Sequence, residues 1–305
     1  MPKVVVQTRN ATPLIAVMFA SSKPATGGIS SVTVPMQGGN FVETQSTDYA
    51  GKFNEPPNLS PGLDAAWNLK AIITPIPFLG MEALIQWDAA VIPILAARMN
   101  DAGNSAAEYL STQLWTNAAN NQDINGLPLI GSDSISIGGL SRVTYPFLKA
   151  NIIHAGNVEP TRKLINKYLV SAVKSSQGEM PDFGITGPGT WAKLSEDYIG
   201  VEGFQRRPGD ADFDKGRAGF RELEVAGVPI YFDPAYGVEG TIYFWKRKYM
   251  SFYIHQAAAW QFTGFQSTLA NYQLGYVGAL LTVIETVNVK PRTMTVIDQL
   301  NFDLV

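Results

Sequence analysis

Hydrophobic residues recur at spacings of three and four from Glu82 to about Ala118, at Leu84, Trp87, Val91, Leu95, Met99, Ala102, Ala106, Leu110 and Leu114. That spacing puts them on one face of a long helix. Pro93 interrupts the stretch. A proline there removes an intrahelical hydrogen bond and crowds the preceding turn, which predicts a kink or a new helix opening at Pro93. Pro160 to Ser175 (PTRKLINKYLVSAVKS) predicts a second helix with proline in its first turn. Asp182 to Ile185 reads as a short buried strand, Gly187 to Thr190 as a turn, and Trp191 to about Tyr198 as a third helix.

The rest of the chain has a different rhythm. Residues 1 to 80 carry Gly, Pro, Ser, Thr and Asn throughout, with short alternating pieces at Ser31 to Pro35 and Leu69 to Ile76. No helical stripe is present, so an extended arm followed by a long hairpin is expected. Such a segment buries too little apolar area to offset its own ordering entropy and must be held by other parts or other subunits. From Phe220 onward β-type residues dominate: Leu223 to Phe232, Gly240 to Trp245, Tyr249 to His255, Val277 to Val289 and Thr293 to Val296. Lys246, Arg247 and Lys248 read as a turn between two strands, and Pro291 as the break in a C-terminal hairpin. Helices and strands are thus mixed in an α+β order, with no internal repeat.

Composition narrows the function classes. At 305 residues, 46% hydrophobic and 16% charged, the chain is ordered and globular, and much of its surface is uncharged. Such surface often lies between subunits. A net charge of −3 supplies no polycationic field for reading nucleic acid. The absence of cysteine removes disulfides, thiolate nucleophiles and zinc-thiolate sites. Pro13 to Ala20 (PLIAVMFA) makes a poor secretory segment, because Pro13 interrupts it and Met18 sits badly for cleavage. No apolar run approaches the ~20 residues of a membrane span, and a soluble protein is expected.

Candidate chemistry is thin. His154 and His255 are the two histidines, and no G-x-S-x-G elbow surrounds any serine. Asp210, Asp212 and Asp214 begin like a calcium loop, but Gly216 and Glu222 each fall one place late, which favours a solvated acidic loop. Glu82 with Asp88, or Glu196 with Asp197, are carboxylate pairs of a kind any chain this size offers. Gly187 to Gly189 lack the lysine of a phosphate loop. Trp67, Phe78, Trp87, Tyr243, Phe244, Trp245, Tyr253 and Trp260 read mainly as core. Trp67 is the exception, since tryptophan in a loop-like arm points to a contact between subunits.

Several short motifs recur in order. They are Asn125-Gly126-Leu127 after the long helix, Gly138-Gly139 and Tyr145-Pro146 before the second, Pro181-Asp182 opening a strand, and Gly187-Pro188-Gly189-Thr190-Trp191 opening a helix. Phe220-Arg221-Glu222-Leu223 follows, with Ala226-Gly227-Val228-Pro229 and Asp233. Together with the element order, these make residues 40 to 300 resemble the Hong Kong 97 (HK97-like) fold of tailed-bacteriophage major capsid proteins. Phe147-Leu148-Lys149 departs from the tryptophan many relatives carry after Tyr145-Pro146, and the long helical prodomain of some relatives is not seen.

The resemblance implies an N-terminal arm at 1–25, an extended loop at 26–75, a peripheral domain with the spine helix at 76–124, an axial domain at 125–255, and C-terminal strands at 256–305 returning to the peripheral domain. It implies a structural, non-enzymatic subunit that assembles with itself into hexamers and pentamers of an icosahedral head around double-stranded DNA, located in the virion and assembled in the host cytoplasm. No cofactor or metal is implied. Expected partners are a separate scaffolding protein, a portal and a decoration protein, with packaged DNA nearby and no membrane. Candidate intersubunit residues are Lys52, Trp67, Arg206, Arg207, Lys246 and Arg247. Some relatives link extended-loop lysines to neighbouring asparagines, for which Lys52 lies in the right region. Two rivals stand beside this reading: an encapsulin-like nanocompartment shell protein and an α+β hydrolase.

Overall fold

A computed structural model of the chain describes residues 12–25, 30–36, 63–79, 91–117, 122–197, 222–234, 237–268 and 275–303. Among these residues two six-stranded sheets carry the architecture. The first is built on a 14-residue strand, β13 (Gly275–Asn288). Ten residues of β4 (Lys70–Leu79) run antiparallel along one side of it, from Ile284↔Lys70 to Gly275↔Leu79. On the other side lie β10 (Met250–His255) and the two-residue strands β11 (Gln261–Phe262) and β12 (Gln266–Ser267), while β1 (Lys23–Ala25) adds in parallel to β10.

The second sheet has the order β5 (Asn151–Val158), β14 (Thr295–Leu300), β9 (Ile242–Trp245), β6 (Phe183–Thr186), β8 (Val228–Phe232) and β7 (Glu222–Val225). β6 and β9 are buried along their whole length, as central strands covered on both faces are. A separate ribbon pairs β2 (Ser31–Met36) with β3 (Leu63–Asn68), the base of the expected hairpin; its residues 37–62 lie outside the described residues.

Among the described residues five helices pack on this frame. α1 (Pro13–Ala20) starts at an N-cap, Thr12, whose side chain accepts from Ile15 N at 3.3 Å, with proline in its first turn. Leu14, Ile15, Met18 and Phe19 are buried, and Phe19 meets Phe252 of β10 edge-on at 5.2 Å. Each such buried side chain stabilises the fold by about 2 kcal/mol. The buried face of α1 is therefore part of the core, which corrects the expectation of an extended arm over residues 13–20. A helix apolar on every side shows no periodic stripe to read.

α2 (Val91–Trp115) is the long helix, with Pro93 in its first described turn and Ala102, Ala106, Leu110 and Leu114 buried as their spacing predicts. α3 (Leu127–Ile130) is one turn. α4 (Arg162–Ser175) is capped by Thr161, so Pro160 stands before the cap and not in the first turn. α5 (Pro188–Glu196) begins three residues earlier than expected, with Pro188 directly after its N-cap Gly187.

Leu223 to Phe232 forms the hairpin β7–β8, which turns at Ala226 (φ 54) and Gly227 (φ 80), the two left-handed positions of a type I′ turn. Lys246 to Lys248 lie in a turn between two strands, and that turn carries the chain from the second sheet (β9) to the first (β10). One further expectation changes: β13 and β14 do not pair as a hairpin across Pro291 but lie in different sheets.

Candidate functional site

Among the described residues no group of three or more His, Cys, Asp or Glu side chains is placed to hold a metal ion. What the short motifs build instead is a set of joints between elements. Gly126 lies under the end of α2, where a Cβ would stand 2.0 Å from Thr116 O and 2.7 Å from Gln113 O. Asp233, fully buried at the end of β8, accepts from Trp115 Nε1 of α2 at 2.8 Å, tying the long helix to the second sheet. Trp115 also meets Tyr243 of β9 edge-on at 5.8 Å.

At the start of α5, Glu239 accepts from Gly189 N and Thr190 N at 2.8 Å each and from Thr190 Oγ1 at 3.1 Å. A carboxylate satisfies the free amides and the positive end of that helix. The Gly-Pro-Gly-Thr motif is thus a seat for an internal acid, not for a phosphate.

The two chain crossings between the sheets, 246–249 and 289–294, run side by side, with Val289 N donating to Tyr249 O at 2.9 Å. Glu179 clasps both. One of its oxygens accepts from Lys246 Nζ; the other accepts from Tyr249 OH at 2.8 Å and lies 3.7 Å from Lys290 Nζ. The bonds from Lys246 and Tyr249, and the charges of Lys246 and Lys290, hold the Glu179 carboxyl down at about 2 against the desolvation that opposes them. Arg247 adds a second tie, its backbone N donating to Asp182 Oδ1 at 2.8 Å and its Nε 3.5 Å away.

The candidate intersubunit residues are distributed unevenly. Lys52, Arg206 and Arg207 lie outside the described residues, as do Asp210, Asp212, Asp214, Glu82 and Asp88. Trp67 is corrected: at 1% exposure its ring packs in the chain's own core over Gly138, because the hairpin base folds back onto the body. Lys246 and Arg247 are engaged within the chain at the crossings. Asp197 caps α4 by accepting from Arg162 N at 2.8 Å, and Glu196 lies 3.3 Å from Lys193, so that pair is held by structural contacts. His154 Nδ1 stands 2.7 Å from Asp298 Oδ1 at an exposed position, and His255 ends β10.

Sequence reading missed Glu179, Glu239 and Glu285. The last had a signal: Glu285 is the one charged residue in the run from Val277 to Val289.

No family model and no curated protein matches the chain. Solved structures do. The capsid asymmetric unit of cyanophage A-1(L) superposes with a TM-score of 0.69 over 95% of this chain and 93% of that one, at 14% identity. The chain has the HK97-like capsid fold. The holo-SrpI encapsulin of Synechococcus elongatus PCC 7942 matches at TM-score 0.58 and 12% identity, over 95% of this chain and 88% of its own. A virus-like particle from Pyrococcus furiosus matches at 0.52 and 10%, over 97% and 96%. Within this HK97-like frame the joints described above connect the long helix, the two sheets and the hairpin base.

Proposed function

We propose that the chain is the major capsid protein of a tailed bacteriophage, a non-enzymatic subunit whose copies form the hexamers and pentamers of an icosahedral head enclosing double-stranded DNA. The observation that carries this reading is the near end-to-end match, in both directions, to a cyanophage capsid subunit. Function on this reading is geometric. The two sheets and the long helix stay rigid while the contacts between copies adapt to slightly different neighbours, and many weak interfaces close together into a strong shell. A mildly acidic chain suits the inside of a DNA-filled head, where tight phosphate binding would hinder packaging and release. A scaffolding protein, a portal and a decoration protein are its expected partners, with assembly in the host cytoplasm.

An encapsulin-like compartment is the second reading, favoured by the match to the Synechococcus shell. Negative-stain electron microscopy of the purified chain, alone and co-expressed with neighbouring genes, tests both. Closed shells or ring-shaped capsomers are expected, and small particles under every condition refute a shell role. Nuclease-protected DNA in shells formed with the neighbouring portal and terminase genes supports the phage head; co-purification of a cargo enzyme encoded beside the gene supports the encapsulin.

A further inference from the structure

Glu285 sits three residues before the end of β13, the longest described strand, with no exposed surface. Its Oε1 accepts from Asn125 N at 2.9 Å and from Thr286 N at 2.8 Å, while its buried Oε2 has no hydrogen-bond partner. The side chain lines a cavity of about 240 Å³ between β13, the hairpin base and the connector that follows α2. Trp67 Nε1, on the hairpin side of the same cavity, is a second buried polar atom without a partner.

The charged and titratable groups around Glu285 are few. Lys70 at the start of β4 and Asp123 on the connector line the cavity, while β3 and the 136–139 loop contribute no ionisable group to it. On β10 the residue in register with Glu285 is Tyr253, whose ring carries the Lys23 ammonium at 5.7 Å. Burial drives the carboxyl up to about 7, outweighing the two backbone N–H bonds and the pull of Lys70.

We propose that Glu285 is a proton-operated latch that seats the β2–β3 hairpin on β13 and the 122–126 connector when protonated and loosens that seat when ionised. Protonation from solvent places the hydrogen on Oε2, turning the unpartnered acceptor into a donor beside a cavity whose lining includes Asp123, Asn125 and Ser136, and the cavity closes around a neutral group. Loss of the proton returns a carboxylate whose Oε2 must be solvated. Water then enters between the hairpin base and the strand. Every contact lies within one chain, so the latch is independent of whether the chain builds a shell.

Hydrogen exchange read by mass spectrometry on the full chain and on Glu285→Gln, which is isosteric and neutral at every pH, tests it between pH 5.5 and 8.5 with exchange times scaled for intrinsic rates. Wild-type peptides covering 63–70 and 122–126 should exchange about threefold or more faster at the upper pH, those covering α4 should not change, and Glu285→Gln should lack the difference. Equal behaviour of the two proteins at every pH overturns the latch. Should the variant not fold, the infrared band of a protonated buried carboxyl in the wild type decides. Loss of that band in step with faster exchange at 63–70 supports the latch, and its absence at pH 5.5 refutes it.

Discussion

Replacing Glu179 by glutamine strikes the point where both crossings between the sheets are held together. The carboxyl stands at about 2 in the fold against an ordinary 4.5. At about 1.36 kcal/mol per unit this sets a ceiling near ~3 kcal/mol on what the charged clasp contributes at neutral pH. Glu179 keeps 26% of its side-chain surface and Lys246 keeps 29%, so solvent screening reduces the contribution to about 1–2 kcal/mol. The sign follows from the depressed value: the unfolded chain binds the proton first as acid is added. The stabilisation is therefore complete above about pH 5 and is lost as pH falls from 4.5 toward 2. Urea unfolding of the unassembled chain at intervals from pH 2.5 to 7 measures it. Glu179→Gln should be less stable than wild type by about 1–2 kcal/mol at pH 7, with the gap closing below pH 4 and narrowing in high salt. A gap that does not change with pH refutes the electrostatic account and leaves only lost packing.

Four further outcomes follow from the same joints. Glu285 carries the opposite sign, since its raised carboxyl favours folding when protonated and that stabilisation is lost as pH rises from about 4.5 through 7; Glu285→Gln should gain up to about 3 kcal/mol over wild type at pH 8 and little at pH 4.5, by the same urea titration. A double-mutant cycle of Trp115→Phe with Asp233→Asn should return a coupling of about 1–2 kcal/mol, and a value near zero removes that bond from the account. Gly126→Ala drives a methyl into Thr116 O and should cost about 3 kcal/mol or more, seen as lost soluble yield or a melting temperature lowered by many degrees. Ala226→Asn places a residue that tolerates φ 54 at the first turn position and should raise stability by about 1 kcal/mol, whereas a lower melting temperature would contradict the assigned turn.

Local periodicity was legible and chain crossing was not. The spacing of Ala102, Ala106, Leu110 and Leu114 announces the long helix because a helix repeats its face every three to four residues. The strands near 183, 242, 250 and 275 are equally readable from β-branched and aromatic runs. Which strand pairs with which is a long-range fact. Pro291 looks like a hairpin turn because a turn and a crossing use the same residues, and only the lateral partners of β13 and β14 tell them apart. α1 was hidden by having too many apolar residues and Trp67 by its place near a hairpin. The joints were half visible: Gly126, Gly187-Pro188-Gly189-Thr190 and Asp233 stand in motifs, while Glu179 and Glu239 sit where nothing local marks them.

Among the described residues β4 is an outer edge of the first sheet, and its sequence limits strand pairing there. The register of β4 on β13 runs without a break, so backbone groups of alternate residues point toward β13 and away from it. Pro75 and Pro77 have no N–H to give β13 and so belong to the outward set, with Ala71 and Ile73. Arg98 Nη1 of α2, which donates to Pro77 O at 2.6 Å, confirms that parity, and its guanidinium covers the Phe78 ring at 5.5 Å. Two successive outward positions therefore offer no donor to an incoming strand, and one of their carbonyls is occupied. A ten-residue strand would otherwise be a template for uncontrolled pairing. The prolines thus leave donors at the Ala71–Ile73 end of this edge, beside the hairpin base that Trp67 anchors, and remove them where Arg98 covers it.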